Sequence, residues 1–312
     1  MTRSQPAGSA DEFVHPALFY EGPEGYLAGT VPFVLDGLAA GEPVAVAVPG
    51  SRLQLLRDAL GGKAADVKML DMTVAGRNPG RIIAEVLRAA ADPHPGVRVR
   101  IIGEPIWPGR SAVEYPACFQ HEALINLAFV GRAVTILCPY DIAALPPVAI
   151  ADALATHPEI VEAGHTWSSQ YFAPERIIAS YNQPLGQPQE PRLLAFGRTQ
   201  LREARHAAAE HAQAVGFDED RVDDVVLVAG ELAANSARHG GGAGTLRTWV
   251  DDMYFVCEVE DAGNLDDPLA GRRPADGHQL SGRGLLVVHH LADLVRVHTR
   301  PGGTTTRAFF RL

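Results

Sequence analysis

Short apolar runs alternate with segments of helical periodicity over the first part of the chain, from His15 to about Ser180. The apolar runs predict β-strands, and the segments between them, where apolar residues recur about every 3.6 positions, predict helices. The predicted strands are residues 17–20, 43–49, 67–72, 97–104 and 133–141. The predicted helices are residues 25–41, 51–61, 80–92 and 115–132. Nearly continuous apolar strands separated by helices indicate a mostly parallel sheet covered on both faces, so we predict an α/β domain over residues 12–178.

The pattern changes at residues 179–191, a polar segment rich in Gln and Pro that predicts an interdomain linker. Beyond it we predict a second domain over residues 192–312, which begins with helices and continues with strands. Asp218 is the expected N-cap of its second helix, which ends at a glycine run. The predicted helices are residues 193–216, 221–240 and 284–294, and the predicted strands are residues 245–252, 253–261 and 304–312. This order predicts an α/β sandwich with one layer of helices on a mixed sheet.

Composition and charge argue against a nucleic-acid-binding protein and against a membrane protein. The chain has 312 residues, 46% of them hydrophobic, and a net charge of −10. That charge argues against direct nucleic-acid binding, which needs clustered Lys and Arg. The sequence has no apolar run of transmembrane length and no signal-peptide core, so we expect no membrane association. Three widely separated cysteines without metal-ligand spacing predict a reducing, cytoplasmic setting.

Two polar residues mark one face of the predicted helix 221–240. Glu231 and Asn235 are four residues apart and point from consecutive turns, and His239 continues the row. The Asn carbonyl oxygen suits Mg²⁺, and a carboxylate one turn earlier can accept a proton from an attacking hydroxyl or water. An isolated pair of this kind is more often a solvated helical face, so the interpretation depends on the segments that follow.

Three later segments carry further candidate chemistry. A predicted strand ends at Asp261, an acid that can accept a hydrogen bond from an adenine amino group, and Gly263 lets backbone approach the ring. Residues 281–285, Ser-Gly-Arg-Gly-Leu, open a helix and offer backbone N–H groups and a positive helix end to phosphates. In the Gly-Gly-Thr-Thr segment before the last strand, the Thr304 or Thr305 hydroxyl can reach the base through water.

Taken in this order, these elements resemble the GHKL ATPase pattern. The segment ELAANSARHG resembles the N-box, DAGN and GRGL the two glycine boxes, and GGTTT the closing Gly-Thr element. The short loop and the ending SARHG resemble the bacterial anti-sigma-factor serine kinases. Sensor histidine kinases fit less well, because His206 and His211 lie inside the first helix of the domain and no dimerisation helix with a phospho-accepting His precedes it.

The resemblance implies a GHKL (Bergerat) sandwich that uses ATP and Mg²⁺. It assigns the catalytic base to Glu231 and the magnesium ligand to Asn235. The residues it assigns to nucleotide binding are Asn235, Arg238, His239, Asp261, Gly263, Gly282, Arg283, Gly284, Leu285, Thr304 and Thr305. It also implies phosphorylation of a serine on a STAS-type anti-sigma-factor antagonist, binding of a sigma factor, and the dimeric state common in that group. Leu265 departs from the first glycine box, which usually has a second glycine there.

The first domain resembles the MEDS sensory domain over about residues 15–175. The segments that carry the likeness are HPALFYEGPEGYLAGTVPFVLDGLAAGEP, DMTVAGRNPGRII, GEPIWPGRSAVEY, EALINLAF and CPYD. The resemblance implies a RecA-like α/β core that senses a ligand. No strand is followed by GxxxxGK and Ser or Thr, which excludes a P-loop ATPase.

Three acids fall at the ends of predicted parallel strands, where open α/β sheets usually bind ligands. They are Asp71, Glu104 and Asp141. Trp107 and Tyr140 lie nearby in sequence and could line an apolar pocket for a small molecule. The alternative is that the acids cap helices or pair with arginines, for which Arg81, Arg110 and Arg132 are the candidates.

Some polar residues of the first domain favour ordinary packing. Cys138 within a strand is better explained by core packing than by thiol sensing. His15, His121 and His157 could cluster in space, but no spacing supports a metal.

The sequence therefore predicts a cytoplasmic regulator with a sensory domain and an ATP-dependent serine kinase domain. The alternative is a nucleotide-gated protein-binding switch without phosphotransfer, which Leu265 favours. A third interpretation is a small-molecule sensor with a vestigial ATPase domain.

Overall fold

The computed structural model describes residues 13–251, 253–275 and 282–312. Position 12, where the first domain is predicted to begin, and Ser281 of the predicted phosphate segment lie outside the described residues. The chain divides into two compact units. The first contains residues up to 76 and residues 85–178, and the second contains residues 77–84 and 179–312.

The first unit is built on a seven-stranded sheet in the order β3-β2-β4-β5-β1-β6-β7. Its strands are β1 Pro16–Tyr20, β2 Val44–Val48, β3 Lys68–Asp71, β4 Val99–Gly103, β5 Val134–Asp141, β6 Glu159–Glu162 and β7 His165–Ser168. Neighbouring strands are parallel except β6 and β7, which pair antiparallel. All residues of β1 and β2 are buried, as expected for strands covered on both faces. The predicted α/β domain with a mostly parallel sheet is confirmed.

Helices connect these strands. They are α1 Gly22–Ala39, α2 Gly50–Leu60, α3 Met72–Ala75, α4 Pro79–Ile82, α5 Ala89–Ala91, α6 Tyr115–Ala128, α7 Pro147–Thr156 and α8 Pro174–Ser180. A 3₁₀ turn follows α2 at Gly61–Asp66, and a π-helical turn, Ile83–Arg88, joins α4 to α5. The parallel order brings the carboxyl ends of β1, β4 and β5 to one edge of the sheet, which positions Tyr20, Glu104 and Asp141 there.

The second unit has a five-stranded sheet in the order β11-β12-β10-β9-β8. Its strands are β8 Arg192–Gly197, β9 Ala243–Asp251, β10 Tyr254–Asp261, β11 Leu294–Arg300 and β12 Gly303–Arg311. Its longer helices are α9 Leu201–Ala214, α10 Glu219–His239 and α11 Gly284–Leu291. Every strand pair is antiparallel, so the layered sandwich is confirmed while the expectation of a mixed sheet is wrong.

The start of the second unit also differs from the sequence prediction. Residues 193–197, predicted as the first turns of a helix, lie in β8, because their backbone pairs with β9 and Phe196 enters the core. The helix begins only at Leu201. On α10, Asp218 is the N-cap as predicted, and its carboxylate accepts a hydrogen bond of 2.8 Å from the Arg221 N–H.

Residues 77–84 are anchored to the end of α11. The Asn78 side-chain amide donates to the His289 carbonyl at 2.9 Å and to the Ala292 carbonyl at 3.3 Å. Arg77 pairs with Asp293 at 3.1 Å. A Cβ on Gly80 would lie 1.9 Å from the His289 ring, so only glycine allows this packing. A segment inside the predicted first domain therefore packs as part of the second unit.

Among the described residues, no helix has both the length and the apolar character needed to cross a bilayer.

Candidate functional site

A cavity of about 660 Å³ lies in the second unit, between α10, the adjoining ends of β10 and β12, and the start of α11. The predicted binding residues that line it are Asn235, His239, Asp261, Gly263, Gly282, Arg283, Gly284, Leu285 and Thr304. These residues are far apart in sequence, and the fold brings them to one concave surface. Apolar side chains of Leu232, Val259, Leu269 and Leu285 form part of the same wall.

Asp261 is held in one orientation at the end of β10. One carboxylate oxygen accepts a hydrogen bond of 2.5 Å from the Ser236 hydroxyl, and the other accepts one of 2.8 Å from the Gly263 N–H. A Cβ on Gly240 would lie 2.4 Å from the Asp261 carboxyl carbon, and one on Gly263 would lie 2.7 Å from the His239 carbonyl oxygen. Two glycines therefore allow the strand end to pack directly against the end of α10.

At the other end of the cavity, the start of α11 lies against the polar face of α10. A Cβ on Gly284 would lie 2.6 Å from Glu231 Oε2 and 3.4 Å from Asn235 Oδ1. The first amides of α11 have no acceptor within the helix, as at any helix N-terminus. Gly282, with φ of +93°, turns the backbone into this helix. A carboxylate, a carboxamide and the first amides of a helix thus lie close together at this end of the cavity.

Thr304 and Thr305 lie on opposite faces of β12. Thr304 pairs with Asp261 in the antiparallel register, and its hydroxyl donates to the Gly263 carbonyl at 3.0 Å. Thr305 pairs with Glu260, and it is Thr306, one residue further along, that shares the cavity lining with Thr304. Of the two predicted hydroxyls, the structure brings only Thr304 to the cavity.

Two other predicted residues lie outside the cavity lining. Glu231 is one turn before Asn235 and contacts the site through Gly284 rather than through the cavity wall. Arg238 is an exposed residue of α10. Ser236, whose hydroxyl donates to Asp261, is a side chain of the site that the sequence analysis did not name. A hydroxyl adjacent to Asn235 on the predicted helix was the available signal.

Leu265 occupies the place of the missing glycine and lines the cavity. Its N–H donates to the Thr299 hydroxyl of β11 at 3.0 Å. The backbone at this point is therefore fixed to the sheet.

The acids at the carboxyl edge of the first unit have three different environments. Asp71 caps α3 by accepting from the Thr73 N–H at 2.9 Å, and Asp141 pairs with Arg52 at 2.9 Å. Asp71 and Asp141 therefore match the alternative prediction, in which these acids cap helices or pair with arginines. The arginine that pairs with Asp141, Arg52, is not one of the three candidates named from sequence. Glu104 is only 2% exposed. Burial raises the pKa of its carboxyl to about 8, against the lowering effect of Arg52.

Two phenols accompany Glu104 at this edge. Among the described residues, Glu104 Oε2 and the hydroxyls of Tyr20 and Tyr26 are buried without a hydrogen-bond partner. Arg52 lies over both rings, 5.3 Å from the centre of Tyr20 and 5.2 Å from that of Tyr26. The two aromatic residues that the sequence predicted to line a pocket, Trp107 and Tyr140, are not part of this group. Trp107 stacks on Arg110 at 3.9 Å, and Tyr140 is buried in the core.

Comparison with known proteins gives two family matches. Residues 14–158 match the MEDS family, described as the methanogen/methylotroph, DcmR sensory domain. Residues 195–310 match the histidine kinase-like ATPase domain family. Among curated proteins, no significant match was found.

Three solved structures are similar to part of the chain. The RsbU and RsbW domains of a Mycobacterium tuberculosis protein align with 20% identity and a TM-score of 0.31, covering 40% of this chain and 33% of that one. The SiaB–SiaC complex of Pseudomonas aeruginosa aligns with 19% identity and a TM-score of 0.31, covering 38% of this chain and 88% of that one. The histidine kinase AdeS of Acinetobacter baumannii aligns with 14% identity and a TM-score of 0.25, covering 39% and 68%.

The cavity, its polar residues and the order of its elements belong to the second of the two matched regions. The protein thus carries a MEDS domain followed by a histidine kinase-like ATPase domain of the GHKL type.

Proposed function

We propose that the protein is a cytoplasmic regulator whose second unit binds ATP with Mg²⁺ and phosphorylates a serine of a STAS-type anti-sigma-factor antagonist. The observation that carries the proposal is the cavity with an oriented carboxylate, Asp261, at one end and the Glu231–Asn235–Gly284 contact at the other. Such a cavity matches a nucleotide, which has a base to recognise at one end and phosphates to neutralise at the other.

Asp261 supports recognition of adenine. Each of its carboxylate oxygens accepts one hydrogen bond from the protein, which leaves lone pairs for the exocyclic amino group of the base. The apolar side chains of Leu232 and Val259 line the cavity and offer a surface for the purine ring. Thr304, tied to the Gly263 carbonyl, fixes the glycine turn beside the base.

The start of α11 supports binding of the phosphates. The first amides of α11, which have no acceptor within the helix, and its positive dipole end favour anionic oxygens, and Arg283 lines the cavity there. Asn235 presents a hard carbonyl oxygen in the cavity, a donor that fits Mg²⁺ together with phosphate oxygens. When bound, the ion supplies positive charge that offsets the negative charge of the phosphates.

Glu231 is the residue that we assign to proton transfer. Its carboxylate lies against Gly284, at the phosphate end. As the seryl oxygen bonds to the γ-phosphorus, the bond from that phosphorus to the ADP oxygen breaks and the hydroxyl proton passes to Glu231.

The first unit has the role of sensor in this proposal. Support comes from residues 77–84, which lie within the MEDS match and are anchored by Asn78 to the end of α11. Because α11 begins at the phosphate end of the cavity, a change in the position of this segment would alter the site. In the same proposal the second unit also holds a sigma factor, and a homodimer is the expected state.

The test is a phosphotransfer assay with the full chain, γ-labelled ATP, Mg²⁺ and a purified STAS-domain antagonist encoded by the same genome. We expect label on a serine, identified by mass spectrometry, and a loss of at least tenfold in rate with Glu231→Gln. Asp223→Asn is the matched control, because it removes an exposed acid from the same helix. A rate unchanged by Glu231→Gln would contradict the role of Glu231.

A nucleotide-gated binding switch is the second candidate function, and Leu265 favours it. The side chain occupies the position of a glycine that would let the loop close over the phosphates, and the Leu265 N–H is tied to Thr299. Saturable ATP binding that changes affinity for the antagonist, without label on any seryl residue, would support this function in place of the kinase.

A further inference from the structure

Four side chains converge in the core of the first unit, away from the ATPase cavity. His15 precedes β1, Glu122 lies on α6, Cys138 lies in β5 and His157 follows α7. Each is at most 1% exposed, and one ligand atom from each lies within 4.8 Å of the others. His157 Nε2 is 3.1 Å and His15 Nε2 is 3.5 Å from Glu122 Oε2, and His15 Nε2 is 3.4 Å from Cys138 Sγ.

The Nδ1 atoms of both histidine rings already have hydrogen-bond partners in the protein. His157 Nδ1 is 2.9 Å from the Ala153 carbonyl oxygen, which can only accept. It is also 3.0 Å from the Thr156 hydroxyl, whose own proton has the Asp152 carbonyl as its acceptor at 3.0 Å, so we assign the ring proton to Nδ1. His15 Nδ1 is 3.1 Å from Asn126 Oδ1. The Asn126 amide nitrogen contacts three carbonyls, of which the nearest is that of Thr156 at 2.8 Å, so its oxygen must face His15 and accept.

In the neutral rings, both Nε2 atoms therefore present lone pairs to a carboxylate oxygen, which is also an acceptor. Three acceptors facing one another in a dry core require either a proton or a metal cation between them. The ring centres are 4.1 Å apart, so two imidazolium ions here would repel each other.

We propose that His15, Glu122, Cys138 and His157 bind one Zn²⁺ ion. Two imidazoles, a carboxylate and a thiolate are ligands that suit zinc, and four protein ligands make a closed site of the structural type. Zinc bonds of about 2.0–2.3 Å place tetrahedral ligand atoms roughly 3.3–3.8 Å apart, close to the separations observed. The charges of the ion, Glu122 and a Cys138 thiolate sum to zero, which a fully buried site requires.

The surroundings of the four side chains match those of a metal site. Ligating histidines donate their second N–H to a carbonyl or carboxylate, which fixes ring orientation, and the contacts of His15 to Asn126 and of His157 to Ala153 have this form. The ligands come from four separate elements around β1 and β5, so the ion would hold the central strands and the two helices of the sensor together.

The experiment uses the full chain, purified, treated with a chelator and titrated with Zn²⁺ or Co²⁺. We expect one Zn²⁺ per chain by mass spectrometry, a higher melting temperature on adding zinc, and a cobalt spectrum with tetrahedral d–d bands and thiolate charge transfer. Cys138→Ser should remove the charge-transfer band, and Cys118→Ser, at another buried cysteine of the same unit, should keep it.

Two results would overturn the proposal. One is a wild-type chain that neither binds Zn²⁺ nor changes its melting temperature with it, which would leave a proton-bridged His–Glu–His network. The other is a charge-transfer band that persists in Cys138→Ser. The wild-type titration decides the question even where a variant fails to fold.

Discussion

Gly284 lies against Glu231 so closely that a Cβ at position 284 would stand 2.6 Å from the Glu231 carboxylate oxygen. The same Cβ would also crowd the Asn235 side chain, at 3.3 Å from its nitrogen. The glycine of one motif thus determines how near the helix start can come to the acid and the amide of another. The proposed phosphate end of the cavity depends on this contact.

Gly284→Ala should weaken binding of an ATP analogue about tenfold or more, roughly 1.4 kcal/mol, because α11 must move away from Glu231 and Asn235. Calorimetric titration measures the change. Gly62→Ala is the control, since a Cβ there meets nothing within 4 Å. Equal affinity in Gly284→Ala and wild type would show that the contact does not shape the site.

Ser236→Ala should lower nucleotide affinity several-fold and the free energy of unfolding by about 1 kcal/mol, because Asp261 loses the donor that orients it. Titration and urea denaturation measure the two effects. Ser51→Ala, at an exposed helical serine, should change neither. If Ser236→Ala bound the nucleotide as tightly as wild type, Asp261 would not be the residue that recognises adenine.

Thr304→Val should weaken nucleotide binding, whereas Thr305→Val should leave it within about twofold of wild type. The difference arises because Thr304 bonds the Gly263 carbonyl while Thr305 faces the other side of the sheet beside Glu260. Parallel titrations of the two variants test this. A larger loss of nucleotide affinity in Thr305→Val than in Thr304→Val would contradict the conclusion that Thr304 is the hydroxyl at the cavity.

The pKa of Glu104, raised to about 8 by burial, predicts a pH dependence of stability. Between the ordinary value near 4.5 and about 8, the folded chain keeps the Glu104 proton and the unfolded chain loses it, so this contribution falls as pH rises. In the Glu104→Gln variant this pH-dependent contribution to stability is absent. The melting temperature of Glu104→Gln minus that of wild type should therefore increase from pH 5 to pH 8. A constant difference would mean that Glu104 titrates normally.

The sequence predicted the elements whose periodicity was unambiguous. The strands of the first unit out to β5 and the helix α10 are where the pattern indicated. The strand β8 was mistaken for helix because a short apolar run such as Leu-Leu-Ala-Phe fits either period. The edge strand β11 was missed because Arg296 and His298 interrupt its apolar positions.

The residues of the cavity were easier to find from sequence than the buried cluster of the first unit. The motif residues around Asp261 lie in continuous segments, so their chemistry is visible in sequence, but the role of Ser236 depends on which strand end packs against α10. The buried cluster of the first unit includes two of the three histidines considered from sequence, His15 and His157, with Glu122 and Cys138. Their convergence results from strand order, which spacing along the chain does not encode.

The most direct test of the central claim is a calorimetric titration of the full chain with a non-hydrolysable ATP analogue, with and without Mg²⁺. The wild-type protein should bind with an affinity that magnesium increases, and Asn235→Ala should lose that increase while Gln213→Ala, at an exposed helical residue, keeps it. An Asn235→Ala variant with unchanged, magnesium-dependent affinity would contradict the assignment.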